Sequence, residues 1–202
     1  MQRRGSYAKG IAKREEILQK ALDVVAREGF RGASVKQIAD AVGLSQAGML
    51  HYFASKEELF TEILRKRDEV DQAVLSPEES VVADLGTMCE GLLAIVRHNA
   101  AVPGLVHLFS QVAVDAADPD HPGHEYVLQR GQTLREAFSA AIAEAQAAGI
   151  ARRDLDADTL ARLVQAAADG LQLQWMVDPS VDMADALGTL FDLIAPPGRL
   201  GA

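Results

Sequence analysis

The segment between Ser34 and Phe53 combines apolar residues at helical spacing with small and polar residues that cluster where a second helix would begin. It has the sequence SVKQIADAVGLSQAGMLHYF, whose spacing predicts a short helix capped by Ser34, a tight turn at Gly43 and a second helix opened by Ser45. Gly43 suits the turn because glycine adopts a positive φ at little cost. The second helix begins with small and polar residues, as entry into the major groove of duplex DNA requires. The segment therefore predicts a helix-turn-helix.

A second segment, DPDHPGHEY, carries side chains that could hold a metal ion. Its possible ligands are Asp118, Asp120, His121, His124 and Glu125. The spacing is loose, and the proline between the histidines lies at a predicted helix start, where the helix dipole favours acidic residues. We therefore predict a capped loop and no metal. Because GxSxG, HExxH, CxxC and glycine-rich phosphate motifs do not occur, we also predict no catalytic residue, no cofactor and no enzymatic activity.

Charge is distributed unevenly along the 202 residues, whose formal net charge is −9. Residues 1–67 hold 13 Lys and Arg against 8 Asp and Glu, whereas residues 68–202 hold 7 against 21. Affinity for phosphate depends on local positive charge, so only the first part could approach a nucleic acid. We predict a DNA-binding domain over residues 1–67 and a ligand-binding and dimerisation domain over residues 68–202.

Helical spacing of apolar residues dominates, and no stretch alternates as a strand does. We predict an all-α protein, with an N-terminal three-helix domain and a larger C-terminal helical bundle. Helices beyond residue 76 are predicted near 78–98, 103–115, 122–148, 157–177 and 182–194. Three pairs fit the reciprocal capping box: Ser34 with Gln37, Ser55 with Glu58, and Ser76 with Glu79.

The cellular compartment follows from cysteine and hydropathy. Cys89 is the single cysteine, so no intrachain disulfide can form, and a reducing cytoplasm is the expected location. The longest uncharged apolar-rich stretch, residues 103–114, is shorter than the roughly 18 residues that cross a bilayer. We expect neither a signal peptide nor a membrane span.

Four features agree in register over residues 12–64. They are a first helix that ends in EGF, the turn IADAVGLS, the aromatic pair Tyr52 and Phe53, and the opening SKEEL of a further helix. With these features the segment resembles the DNA-binding domain of the TetR family of bacterial transcriptional regulators. The resemblance covers about a quarter of the chain. It implies a homodimeric regulator, most often a repressor, that a small molecule releases from a pseudo-palindromic operator.

The resemblance also assigns roles to single residues. It places Gln46, Ala47 and Gly48 at the base edges of double-stranded DNA, His51 and Tyr52 near the sugar-phosphate backbone, and Lys56 on a phosphate. Ser34, which opens a helix that points toward the backbone, and Ser45, which caps the helix that faces the major groove, are also predicted to bind DNA. The physical chemistry agrees, because glutamine offers a donor and an acceptor to a base edge and Lys56 adds its charge to the positive end of a helix.

Two positions depart from the family pattern. Gly48 and Leu50 stand where many members carry Thr and Tyr, so two hydroxyl groups that often reach phosphate are absent. A basic arm formed by Arg3, Arg4 and Lys9 could supply the affinity instead. The alternative is a tail that only improves solubility.

The acidic body must supply a dimer, since one reading head buries too little surface to find a site in a genome. Apolar stripes on the last two helices are predicted to form the interface, through Leu160, Leu163, Ala167, Leu171, Leu187 and Phe191. The resemblance implies the same pairing, in a two-fold four-helix arrangement. The alternative is that both stripes are ordinary core.

The family also implies a ligand chamber for a small-molecule effector. The candidate residues are apolar with a few polar members: Met88, Leu92, His107, Phe109, Phe138, Gln172, Trp175 and Met176. Core packing is the alternative for these positions. Against the whole scheme stands a helical protein-interaction scaffold, which would show no salt-dependent affinity for duplex DNA.

Overall fold

The computed structural model describes residues 3–75 and 84–196, and within these ranges every regular element is an α-helix. The helices are α1 (Arg3–Gly32), α2 (Val35–Ala41), α3 (Gln46–Met49), α4 (Lys56–Leu75), α5 (Leu85–Ala101), α6 (Pro103–Asp115), α7 (His124–Ala147), α8 (Ala157–Val177) and α9 (Met183–Ile194). The predicted all-α class is confirmed. No single helix in the described ranges is long and apolar enough to cross a membrane, although α5 and α6 together have the length and composition.

The chain packs as two compact units. Unit 1 comprises Met1–Val74 and Val102–Tyr126, and unit 2 comprises Leu75–Ala101 and Val127–Ala202. Helix α6 therefore belongs with the N-terminal helices, which sequence periodicity does not indicate. The functional boundary predicted at residue 67 stays a prediction, because packing alone does not say which residues bind DNA.

Local capping signals place several helix starts. The N–H of Gln37 donates to Oγ of Ser34 at 3.2 Å, and the Ser34 N–H donates to Oε1 of Gln37 at 2.9 Å, so the first capping box is confirmed. At the second, Oγ of Ser55 accepts from the Glu58 N–H, but the Glu58 carboxylate accepts from the Ala54 N–H, one residue earlier than predicted. The third pair lies outside the described residues, as does the predicted start of α5 near residue 78.

Unit 1 is built on the packing of α1 against α6. Gly29 has a φ of 73° and interrupts the helical conformation of α1 near its end. Gly104, in the first turn of α6, lies directly against this part of α1, because a Cβ placed on it would come within 2.1 Å of the Val25 carbonyl oxygen. The two backbones can approach this closely only where α6 carries no side chain.

A charged network ties α4 to the rest of unit 1. Arg67 is buried, with 6% of its surface exposed, and its Nη2 lies 2.7 Å from Oδ1 of Asp68. The Arg67 guanidinium stacks 5.3 Å from the centre of the Phe109 ring on α6. The hydroxyl of Tyr126 donates to Oδ2 of Asp68 at 2.6 Å. One aspartate therefore joins a side chain of α4 to the beginning of α7.

Unit 2 has a core of buried apolar side chains from α5, α7, α8 and α9. Phe138 of α7 and Phe191 of α9 stack with their ring centres 6.2 Å apart. Leu160 and Val164 of α8 pack into the same cluster, and Leu187 is completely buried there. Cys89 of α5 also belongs to this core.

The thiol of Cys89 is expected to be unreactive in the folded protein. Burial raises its pKa from 9.0 to about 12, with a further contribution from the carboxylates of Asp84 and Glu90. Three pKa units reduce the thiolate fraction by about a thousandfold. Below pH 9 iodoacetamide should therefore alkylate the folded protein at least about a hundredfold more slowly than the urea-unfolded chain.

The raised pKa of Cys89 also determines how stability changes with pH in alkaline solution. The unfolded thiol ionises above pH 9.0 and the folded thiol only near 12, so this residue lowers the free energy of unfolding as the pH rises through that interval. Cys89→Ala should remove this part of the pH dependence. Equal alkylation rates for folded and unfolded protein would show that the thiol is not buried as described.

Candidate nucleic-acid interface

The turn between α2 and α3 has the geometry that the sequence predicts. Gly43 has a φ of 70°, and the Leu44 N–H returns to the Ala39 carbonyl oxygen at 2.8 Å. Oγ of Ser45 then accepts from the Gly48 N–H at 3.0 Å and caps α3. The chain is thus turned tightly between two capped helices, which is helix-turn-helix geometry.

Helix α3 is short, and buried side chains hold it in place. Met49 at its end and Phe53 just beyond it lie in the core of unit 1. Around these anchors, Gln46 and Ala47 are exposed and Gly48 is half-buried. The first turn of α3 therefore presents a small polar surface on a fixed support, which is the arrangement that base reading requires.

The other residues predicted to bind DNA surround this surface in sequence, and all are accessible to solvent. Ser34, Ser45, His51 and Lys56 are exposed, and Tyr52 is half-buried. Leu50 is exposed as well, so an apolar side chain occupies a surface position at the end of α3.

Lys56 is the first residue of α4. Its ammonium group lies 5.2 Å from the centre of the Phe60 ring, which restricts where the charge can be. The nearby Glu58 does not neutralise it, since its carboxylate pairs with Arg14 at 3.5 Å and accepts from the Ala54 N–H at 2.7 Å. The amino-terminal end of α4 therefore adds its positive dipole to an unpaired cation.

Most of the described Lys and Arg side chains of unit 1 pair with acidic side chains of the same unit. Lys13, Arg14, Lys20, Arg27, Arg65, Lys66 and Arg67 all form ion pairs. Among the side chains that the structure describes in this unit, Lys9, Lys36 and Lys56 take part in no ion pair. Helix α1 begins at Arg3, so the residues of the predicted basic arm form the first turns of this helix. The side chains of Arg3 and Arg4 lie outside those that the structure describes.

Lys36 is a phosphate-contact candidate that the sequence analysis missed. It is exposed in the first turn of α2, two residues after the capping Ser34. The signal was present in the sequence, because a lysine in the first turn of a capped helix opposes the helix dipole. That cost is recovered if an anion sits there.

The residues predicted to form a dimer interface fall into two groups. Leu160, Leu187 and Phe191 are buried in the core of unit 2, so the expectation that they face a second chain is corrected. They fill the space between α8, α9 and the other helices of their own unit. Leu163 is 47% exposed, and Ala167 and Leu171 are partly buried against the core; for these three the interface stays a prediction.

A row of residues on α8 that shares Leu163 with the predicted set is largely exposed, with Gly170 half-buried. Leu163, Ala166, Gly170, Leu173 and Val177 recur at steps of three and four residues, and we call them the α8 stripe. Leu173 is 50% and Val177 88% exposed. An α-helix that presents such a row has an apolar face that its own unit does not cover.

The residues predicted to line a ligand chamber are divided between the two units, and the chamber stays a prediction. His107 and Phe109 belong to unit 1, where Nδ1 of His107 lies 2.8 Å from the Pro103 carbonyl oxygen and Phe109 lies under Arg67. Leu92 and Phe138 are core residues of unit 2, Met88 and Trp175 pack against that core, and Gln172 and Met176 are half-buried. Of the eight, Trp175 lines a cavity in unit 2.

The DPDHPGHEY segment forms a hydrogen-bonded loop. Nδ1 of His121 accepts from the Gly123 N–H at 3.0 Å, and Nδ1 of His124 lies 2.8 Å from the Ala116 carbonyl oxygen. The Asp118 carboxylate accepts from the Asp120 N–H. These contacts hold the backbone, and nowhere in residues 3–75 and 84–196 do three potential metal ligands converge.

Comparison with known proteins agrees with this architecture. The family model for bacterial regulatory proteins of the tetR family matches residues 17–63, and the model for the C-terminal part of BetI-type transcriptional repressors matches residues 113–195. The chain is 28% identical over 158 residues to the HTH-type transcriptional repressor KstR2 of Mycolicibacterium smegmatis, a match that covers 76% of this chain and 75% of the relative.

Two further matches are informative. The HTH-type transcriptional regulator RutR of Escherichia coli is 44% identical over 98 residues, covering 48% of this chain and 46% of the relative. A TetR-family transcriptional regulator from Agrobacterium tumefaciens superposes with a TM-score of 0.68 at 21% identity, covering 92% of this chain and all of that one. The chain belongs to the TetR family. It is a DNA-binding transcriptional regulator of the repressor type.

Proposed function

We propose that this repressor binds a pseudo-palindromic operator as a homodimer, with one α3 helix per subunit in the major groove, and that a small molecule bound by the C-terminal domain releases it. In this proposal residues 1–67 bind DNA, residues 68–202 dimerise and sense the effector, and the protein acts in the cytoplasm without enzymatic activity. The observation that carries it is the exposed first turn of α3, held by buried Met49 and Phe53.

Base reading is assigned to the first turn of α3. Gln46 can donate to and accept from one base edge, and the short side chains of Ala47 and Gly48 let the backbone come close to the groove. Lys36 and Lys56 are assigned to phosphates, since each combines an unpaired charge with the amino-terminal end of a helix. Base contacts supply the sequence preference, and phosphate contacts supply affinity for any duplex.

These assignments predict different outcomes for two substitutions. Gln46→Ala should change the preferred base pair at one or two operator positions, with a loss of about 1–3 kcal/mol of discrimination. Lys56→Ala should weaken binding to all duplexes by a similar factor and reduce the slope of log affinity against log salt by about one. Fluorescence anisotropy on fragments selected from random DNA measures both.

Lys20→Ala is the matched control, because it removes an exposed lysine of α1 that pairs with Glu16 at 3.1 Å. It should leave affinity and salt slope nearly unchanged. If the Gln46 and Lys56 variants both bound every duplex as the parent does, the assignment of roles would be wrong. A parent protein whose binding did not depend on salt would favour the protein-interaction scaffold instead.

Dimerisation is assigned to the α8 stripe. We add Leu193 of α9 to the proposed interface because 62% of the surface of Leu193 is exposed. Burying these side chains against a second copy would gain roughly 25 cal/mol per Å² of apolar surface. The small Ala166 and Gly170 let two helix backbones approach, and a Cβ on Gly170 would meet no heavy atom of the described residues within 4 Å. A two-fold axis along this face would pair α8 with its copy.

Leu173→Glu is therefore expected to convert the dimer into monomers at micromolar concentration, because two carboxylates would be buried in the interface. Light scattering after size-exclusion chromatography measures the mass. Operator affinity should fall with it, since one head makes half of the contacts. Val114→Glu, at a position 66% exposed on α6, is the control and should stay dimeric. A dimeric Leu173→Glu protein would rule out this face.

Release by an effector needs no direct contact with DNA. A ligand that binds more tightly when the two α3 helices are spaced wrongly for successive major grooves lowers operator affinity by the ratio of its two affinities. The effector is assigned to unit 2, whose core is large enough to hold a cavity beside Trp175.

A further inference from the structure

A cavity of about 360 Å³ lies in unit 2, between the last turns of α5, the end of α8 and the beginning of α9. Its volume is at the lower end of the range for small-molecule sites, about 300–1,000 Å³. Val96 of α5, Trp175 of α8 and Met183 of α9 contribute apolar lining, and all three belong to the core of the unit or pack against it. The cavity is open to solvent and its lining is about as polar as it is apolar, so it suits an amphipathic ligand the size of one ring or a short acyl chain.

The charged and polar groups of the lining are not equivalent. Oδ1 of Asp182 accepts from the backbone N–H groups of Ala184 and Asp185 at 3.0 and 2.9 Å, so this carboxylate caps α9. The hydroxyl of Ser180 donates to Oδ1 of Asp178 at 2.7 Å. Both groups are satisfied by the protein and have little to offer a ligand.

Arg97 is the exception. It lines the cavity from α5, it is exposed, and neither a hydrogen bond nor an ion pair joins its guanidinium to any residue that the structure describes. A guanidinium beside an apolar wall is suited to a carboxylate, which it can bind through two parallel hydrogen bonds. The aromatic face of Trp175 can stack against a ring or lie along an acyl chain.

We propose that this cavity binds a small organic monocarboxylate, with the carboxylate on Arg97 and the apolar body against Trp175. The site joins α5 to the beginning of α9 and to the end of α8, so an occupant would hold these three helix ends together. The claim that this ligand is the effector rests on the proposed function. The claim that the cavity binds the ligand does not.

Trp175 makes the site directly observable, because it is the single tryptophan of the sequence. The full-length protein is titrated with hydrocinnamate and with hexanoate, and separately with the neutral amide of each, while tryptophan fluorescence is recorded. At least one carboxylate should change the emission saturably, and its amide should bind at least about tenfold more weakly, because the amide loses the charge-assisted contact with Arg97.

Three variants test the assignment. Arg97→Gln should weaken carboxylate binding at least about tenfold, and Arg97→Lys should retain part of it. Arg152→Gln changes an exposed arginine of unit 2 that lies outside the cavity, so it should bind like the parent. Circular dichroism confirms that each variant is folded.

The proposal is overturned if neither carboxylate changes the emission, if the amides bind as tightly, or if Arg97→Gln binds like the parent. The same titrations in the presence of labelled operator separate this result from the proposed function. A carboxylate that binds without changing operator affinity supports the site and contradicts its role in release. A protein that binds no operator in the absence of ligand contradicts the proposed function, and the fluorescence result stands independently.

Discussion

Replacing Arg67 with alanine is expected to lower the free energy of unfolding by about 3–5 kcal/mol, because it removes the buried cation of an ion pair with the half-buried Asp68. The guanidinium lies 2.7 Å from the Asp68 carboxylate, 3.9 Å from that of Asp71 and over the Phe109 ring. Burial lowers the pKa of Arg67, but the carboxylate of Asp68, Tyr126 and the carboxylate of Asp71 outweigh this effect and hold it above its usual value. The charged form is therefore the stable one.

A second arginine–aspartate pair provides the control. Arg152 and Asp154 lie 2.6 Å apart, but both side chains are exposed to solvent. Arg152→Ala should leave the free energy of unfolding nearly unchanged, because solvent screens exposed pairs. Urea unfolding followed by circular dichroism measures both variants. Similar losses for the two would mean that the buried pair does not stabilise unit 1.

Replacing Gly104 with alanine is expected to destabilise the protein by about 3 kcal/mol, the upper part of the range for overpacked sites. The new Cβ would lie 2.1 Å from the Val25 carbonyl oxygen and 2.9 Å from Cα of Gly29. Both are backbone atoms, so relief requires α6 to move away from α1. At about 2–4 °C per kcal/mol for a chain of this size, the melting temperature should fall by roughly 6–12 °C.

Gly10→Ala is the matched control within unit 1. Gly10 lies inside α1, and its Cβ would meet no heavy atom of the described residues within 4 Å. Alanine there should be neutral or stabilise the protein by up to about 1 kcal/mol, because it favours the helix. Calorimetry of both variants decides the matter: an unchanged melting temperature for Gly104→Ala would show that α1 and α6 are not in close backbone contact.

The helices could be predicted from the sequence because their signals are local. Pro103, Gly149 and Pro179 lie where one helix gives way to the next. Helices α6 and α8 have the predicted bounds. The turn at Gly43 and the cap at Ser45 likewise depend on neighbouring residues only. The candidate DNA surface could be located for the same reason.

Features that depend on distant contacts could not be predicted. Periodicity shows that Leu160, Leu187 and Phe191 share apolar faces, but it does not say whether a face meets its own unit or another chain; the structure buries all three. Leu173 and Val177 could be identified as interface candidates only once the structure showed which apolar residues of α8 lie outside the core. In the same way, the glycine at position 104 is explained by a contact with α1, which is far away in sequence.

The scarcity of uncommitted cations in unit 1 has a consequence for how the repressor searches a genome. Among the Lys and Arg side chains that the structure describes in this unit, Lys9, Lys36 and Lys56 are without an acidic partner, so these described side chains would displace few counterions when they meet an arbitrary stretch of duplex. Such encounters would be brief. In the proposed dimer, residence at the correct operator would then be determined mainly by hydrogen bonds to base edges and by the fit of the two DNA-binding domains to the groove spacing, which favours sequence discrimination over tight non-specific binding.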